Sequence, residues 1–160
     1  MKLNPKSEIV HGNKQVYTDL VISAHQDDIE IMCPQGIIKG YQSKDFGLVA
    51  VVTTNGSGSP RSGRFASMTD EEMMKVRRLE QMEAARIGDY SELIMLNFTS
   101  SEIKDKSNPQ PTSDIAEIIK TYRPRTMYIH NLADKHPTHV ATAVRCIEAA
   151  RALPKGERPE

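Results

Sequence analysis

The chain has 160 residues, enough for one domain to bury a core without disulfide or metal staples. Its 21 Lys and Arg are matched by 21 Asp and Glu, so there is no basic field to hold nucleic acid or an anionic membrane surface. The two cysteines, Cys33 and Cys146, make no spaced metal or redox motif and fit a reducing, cytoplasmic setting.

Residues 1–15 read as a polar N-terminal extension that carries Pro5 and Gly12, neither a signal peptide nor an anchor. No apolar run is long enough to span a bilayer. Four short apolar runs then alternate with helical stretches. The predicted strands are Tyr17 to Ala24, Phe46 to Thr53, Leu93 to Phe98 and Thr126 to His130. Their continuous apolar character is that of strands covered on both faces, as in a parallel sheet. Helices are predicted from Pro34 to Tyr41, Asp70 to Ile87, Asp114 to Tyr122 and Pro137 to Ala152. Thr69 and Glu72 have capping-box spacing, Gly88 stands where a helix stop belongs, and Pro137 suits a first helical position. Asn55 to Arg64 and Lys104 to Thr112 read as polar loops. The order βαβαβαβα predicts a single Rossmann-like three-layer α/β domain over 1–160, with a mainly parallel sheet in strand order 3-2-1-4. Four strands make a small sheet for this class, and the charged, proline-bearing Pro154 to Glu160 reads either as a solvated terminus or as a linker cut short.

Two clusters carry chemistry. His25-Gln26-Asp27-Asp28 directly follows the first predicted strand, and His130 to His139, containing Asp134, His136 and His139, follows the fourth. In a 3-2-1-4 sheet these two strand ends flank the point where strand order reverses, beyond which open α/β sheets bind ligands. Two imidazoles and one carboxylate with a free fourth position describe a catalytic rather than a structural zinc site, whose bound water becomes hydroxide near neutral pH. On the last helix, Val140, Ala143, Val144, Ile147 and Ala150 form an expected apolar stripe, with His136 and His139 on the same side. On the long middle helix, Met73, Val76, Ala84 and Ile87 form the expected inward face. Glu80 falls at its centre with Arg77 at its edge, a pair that reads either as a structural i,i+3 ion pair or as Glu80 orienting Arg77 toward a substrate or a developing negative charge.

The chain resembles the LmbE-like family, which includes the N-acetylglucosaminyl-phosphatidylinositol de-N-acetylases. The resemblance runs from Asp19 to about Ala150. It rests on strand-His-x-Asp-Asp (His25 to Asp28), Val-Thr-x-x-Gly (Val52 to Gly56), Arg77-x-x-Glu80 followed by Ala84-Ala85 and Gly88, and His136-Pro137-x-His139. It implies zinc held by His25, Asp28 and His139, with Fe²⁺ an alternative occupant. It also implies Asp27 as general base and His136 as oxyanion stabiliser or proton donor to the amine. Arg77 would hold a small N-acetylated sugar or glycoconjugate that is hydrolysed to acetate and free amine. A homo-oligomer is compatible with this reading. Gln26 stands where the family usually has Pro, Ile29 where it has Glu (with Glu30 one residue on), and Thr138 where it has Asp. Asp134 is the candidate replacement carboxylate to orient the catalytic histidine. In place of the family's Pro-Asp-Gly turn after the third strand stands Asn97 to Ser101. Two other readings fit parts of the pattern: a sugar- or nucleotide-binding module without catalysis, and a two-metal phosphoesterase.

Overall fold

Three of the four apolar runs become strands that bury both faces, and the fourth is a half-buried strand at the sheet edge. In the computed structural model, which describes all residues Met1–Glu160, β2 (Asp19–Ser23), β3 (Leu48–Thr54), β4 (Glu92–Phe98) and β5 (Thr126–Tyr128) pair in parallel in the spatial order β4-β3-β2-β5. Alternate residues of one run serve opposite layers. Leu20, Ile22, Val49, Val51, Ile94 and Leu96 share one core with Ile115, Ile118 and Ile119 of α5 (Gln110–Tyr122) and with Cys146 and Ala149 of α6 (Pro137–Ala152). Val21, Leu48, Ala50, Val52, Leu93 and Met95 share the other with Ile29 of α1 (Asp28–Met32), Ile37 of α2 (Pro34–Gly40) and Ala85 of α3 (Asp70–Ile87). Each fully buried Leu or Ile contributes roughly 1.5–3 kcal/mol, so a sheet apolar on both faces is the main source of stability. A short helix, α4 (Ser100–Lys104), follows β4 and packs on the α6 side.

The sheet is larger than the sequence predicts. Residues 1–15 are not a free polar extension: β1 (Glu8–His11) runs antiparallel to β4, which makes the full order β1-β4-β3-β2-β5. Glu8 pairs with Arg78 of α3, and buried Asn4 bonds Asp114 of α5 and the Leu96 carbonyl. At the opposite edge, the backbone of Glu160 pairs with Arg125 and Met127 beside β5.

Both long helices have the predicted bounds but a different rotation about their axes. On α3 the buried positions are Met73, Gln81 and Ala85, with Arg77 between them, whereas Ile87 is 60% exposed. Glu80 is therefore on the solvent side and not at the centre of an inward face. On α6, Thr138, Thr142, Ala143, Arg145, Cys146 and Ala149 are buried, and Val144 is exposed. Polar positions win in both helices because each has a partner. Gln81 bonds the Asp27 amide and Glu30, Thr142 meets Thr53, and Arg145 donates to the carbonyls of Ile103 and Asp105. The Thr69–Glu72 capping box forms as predicted, and α5 starts four residues earlier than predicted because Pro111 is tolerated in its first turn. No helix is long and apolar enough to cross a membrane.

Candidate active site

The β2–β5 ladder ends at Val21 and Tyr128, and the chain segments that leave the two strand ends hold the two histidine-bearing clusters. His25 Nδ1 and Asp28 Oδ2 are 3.3 Å apart, Asp28 Oδ2 and His139 Nε2 are 3.4 Å apart, and His25 Nδ1 and His139 Nε2 are 3.1 Å apart. A tetrahedral ion with bonds of about 2.0–2.1 Å requires its ligand atoms to be about 3.3–3.4 Å from one another. Two imidazole nitrogens and one carboxylate oxygen thus stand at the spacing of three corners of such a tetrahedron. Metal-compatible groupings of His25, His136 and His139, and of Asp28, His130 and His139, both include His139 and so describe one locus rather than two.

Local folding sets each donor. Asp28 opens α1, and its Oδ2 accepts the His25 amide at 2.7 Å, which folds the His25–Asp28 turn onto itself. Burial opposes the charged form of Asp28. The His25 ring and amide and the charge of His139 outweigh it and hold the carboxyl well below the usual carboxylate range. His139, in the first turn of α6, turns Nδ1 to Asp134 Oδ2 at 3.0 Å. An N–H donated there leaves the Nε2 lone pair facing Asp28 and His25, the usual arrangement behind a metal-bound histidine. Asp134 therefore backs His139, not the ring of His136 as the sequence suggests. Its other oxygen accepts the His136 amide at 2.7 Å, and that amide and the His139 ring lower its pKa.

The His136 ring stands edge-on to His25, with centroids 4.8 Å apart, and its Nδ1 accepts the Thr138 amide at 3.3 Å. The neutral ring then carries its proton on Nε2. Burial, and then the charges of His25 and His139, push the His136 imidazole below its ordinary pKa, which favours that neutral form. Asp27 lies outside the donor triangle, with a mostly exposed side chain. Its backbone takes the left-handed conformation, φ 73°, which Asp tolerates better than most residues, and Gln81 Oε1 fixes its amide at 3.0 Å. Arg77 grips the Asp27 carboxylate at 2.7 Å, the Gln26 carbonyl at 2.7 Å and Glu80 at 2.5 Å. Its guanidinium is thereby engaged in holding Asp27, with Glu80 orienting it from the solvent side.

His25, Asp27, Asp28, Arg77 and His136 line one wall of a cleft of about 420 Å³; Ser100 and Lys104 of α4 are among the other lining residues. No Val, Leu, Ile, Met or Phe side chain lines it. Gly56 closes its floor with φ +76°, and a Cβ there would come within 2.8 Å of both Arg77 and Gln26. Gln26, in the place of the family's Pro, is buried, with its amide anchored on the Thr54 carbonyl. Glu30 accepts from Tyr90 and from Gln81, so it supports the Asp27 turn from behind. The sequence reading missed the supporting parts Gln81 and Tyr90, and it placed His130 in the second cluster without giving it a role. None of them stands out by periodicity, and only the polar interruption of the α3 face at Gln81 hinted at one.

The profile of the GlcNAc-PI de-N-acetylase family, PIG-L, matches residues 20–150. A relative from Escherichia coli (strain K12), the uncharacterized deacetylase YaiS, is 28% identical over 136 residues, covering 85% of this chain and 69% of its own. Among solved structures, N,N'-diacetylchitobiose deacetylase from Pyrococcus horikoshii superposes with a TM-score of 0.71 at 22% identity, covering 86% of this chain and 50% of that one. GalB, the 4-carboxy-2-hydroxymuconate hydratase from Pseudomonas putida KT2440, superposes with a TM-score of 0.71 at 21% identity, covering 90% and 60%. At these identities the two structures establish the fold, and the chain spans half to about two thirds of the length of these relatives. With the profile covering most of the chain, from the first core strand to the end of the last helix, the protein belongs to the GlcNAc-PI de-N-acetylase (PIG-L) family.

Proposed function

We propose that this protein is a metal-dependent hydrolase that removes the acetyl group from an N-acetylated amino sugar or glycoconjugate. The observation that carries the reading is the donor triangle of His25, Asp28 and His139, with edges of 3.1–3.4 Å, at the margin of a cleft lined mainly by residues with polar side chains. A divalent ion, zinc or iron(II), would be held by these three and would supply a Lewis acid for the acyl carbonyl and an acidified water for the attack. Asp27, free of the triangle and steadied by Arg77, accepts the proton of the attacking water. His136 also lines this cleft; its neutral ring donates Nε2–H to the developing oxyanion, and the proton taken up by Asp27 passes to the departing nitrogen. The reaction is direct hydrolysis without a covalent enzyme adduct. A cleft lined by hydroxyl, amide and charged groups suits a polyhydroxylated ligand, whose hydroxyls exchange water for protein partners.

The test is release of acetate and primary amine from a panel of N-acetylated sugars by protein loaded with one equivalent of zinc, with loss of activity on chelation. Amine release is the expected result. A loaded protein that releases amine from none of them overturns the reading. The hydratase relative supplies a second probe: water addition to a conjugated acid without amine release would place the chemistry there instead. Two metals per chain would favour a phosphoesterase; one is expected from a single locus.

The position of Asp134 changes what its substitution should do. In Asp134→Asn the side-chain oxygen can still accept the His136 amide, which places an NH₂ against His139 Nδ1 and drives the imidazole proton to Nε2, the atom meant for the metal. Zinc affinity is therefore expected to fall about 10–100-fold, as for other losses behind a metal ligand. Competition titration of the apo-protein measures this, and unchanged affinity would remove Asp134 from the role.

A further inference from the structure

His130 touches both halves of the donor set without belonging to it. It is buried, at 7% exposure, and it lies two residues beyond the end of β5. The backbone ladder between β2 and β5 has already ended at Val21 and Tyr128, so nothing in the main chain ties the two strand ends together where the donors sit. The Ala24 amide, fully buried and next in sequence to His25, donates instead to His130 Nε2 at 2.8 Å. The carbonyl of Ala24 is likewise taken, by the Thr54 amide on β3. The same imidazole lies flat against the ring of His139, with centroids 4.0 Å apart and planes 13° from parallel, and its Nε2 approaches Asp28 Oδ2 to 3.4 Å.

We infer that His130 is a positioning residue for the metal centre: a side-chain clasp that replaces the missing ladder bond across the sheet's reversal point and sets the spacing of His25, Asp28 and His139. The inference rests on the metal-site reading above. Its Nε2 lies within reach of the Asp28 and His139 donor atoms, which makes it a fourth candidate ligand by distance alone. The lone pair on that nitrogen is already committed to the Ala24 amide, and a buried amide that loses its acceptor is costly. His130 therefore acts on the ion through the geometry of its neighbours. One face of its ring limits how far His139 can swing, and its nitrogen holds the segment that carries His25.

The test uses the full chain stripped of metal, in three forms: wild type, His130→Ala and His130→Gln. Glutamine places an acceptor oxygen near the position of Nε2, restoring the clasp without a ring. Zinc is titrated against a chromophoric competitor, and the visible spectrum of each form is recorded with Co²⁺ in place of zinc. His130→Ala is expected to bind one ion about 10–100-fold more weakly than wild type, with the Co²⁺ band position kept because the ligand set is the same. His130→Gln is expected to recover most of the affinity. Equal affinity in wild type and His130→Ala overturns the inference, as does an alanine variant whose Co²⁺ spectrum shows a lost nitrogen donor, because His130 would then be a ligand. A glutamine variant as weak as alanine overturns the clasp. Wild type that takes up neither ion defeats the metal reading itself, and this inference with it, and so is told apart from failure of the His130 role alone.

Discussion

Asp27→Asn should keep its metal and its fold while kcat falls by about 10²–10⁴, the usual cost of removing a general base. The substitution is chosen for what it preserves. Asparagine tolerates the left-handed backbone at φ 73° nearly as well as aspartate, and its carbonyl oxygen can still accept from Arg77. The Asp27 amide remains on Gln81, because that contact involves only the main chain of residue 27. The carboxylate itself lies outside the donor triangle and is mostly exposed, so the folded chain loses little by its neutralisation. What disappears is an oxygen able to take a proton beside the ion. Metal content per chain, the melting temperature and kcat at saturating substrate separate these effects. A variant with kcat within threefold of wild type would deprive Asp27 of its role, and a variant without metal would move Asp27 into the ligand set.

His139→Ala should lose the ion. Of the three donors, His139 alone comes from the β5–α6 side, so removing it leaves His25 and Asp28, which sit within four residues of each other and enclose only one edge of the site. The expected loss of affinity exceeds the roughly 10–100-fold typical of changes behind a ligand. It should be visible as protein purified without stoichiometric metal and as loss of the zinc-dependent rise in melting temperature that ligand binding to the native state produces. The same variant removes the ring stacked on His130 and on His136, so circular dichroism must first show that the fold persists. Full occupancy in a folded His139→Ala protein contradicts the ligand assignment outright.

The layered fold was legible because its signals are strong and repetitive. Four apolar runs bounded by turns announced a sheet covered on both sides, and a capping box with a glycine stop delimited Asp70–Ile87 to the residue. Topology then brought His25 and His139 to one place, although they are 114 residues apart. The failures share a cause. β1 has four residues, two of them polar, and it becomes a strand only because β4 offers an edge to pair with. The rotations of α3 and α6 were misread because apolar periodicity assigns Ile87 and Val144 inward, whereas Gln81 and Arg145 win burial through hydrogen bonds to chain segments far away in sequence. The same blindness hid the role of His130, whose partner is a main-chain amide and therefore leaves no mark on residue choice at position 24. The partner of Asp134 was misassigned for a simpler reason: spacing places the carboxylate near two histidines, and only coordinates tell which ring it meets.

β1 also bears on how the protein behaves at high concentration. β4 is Glu-Leu-Ile-Met-Leu-Asn-Phe, a largely apolar strand whose outer hydrogen-bonding edge would otherwise invite another chain to add on. A strip of only four residues shields it, running against the grain of the sheet and tied down by Glu8 to Arg78 and His11 to Glu92. Those first residues are thus a guard against self-assembly, and an expression fragment that omits them trades a tidy N-terminus for an aggregation-prone one.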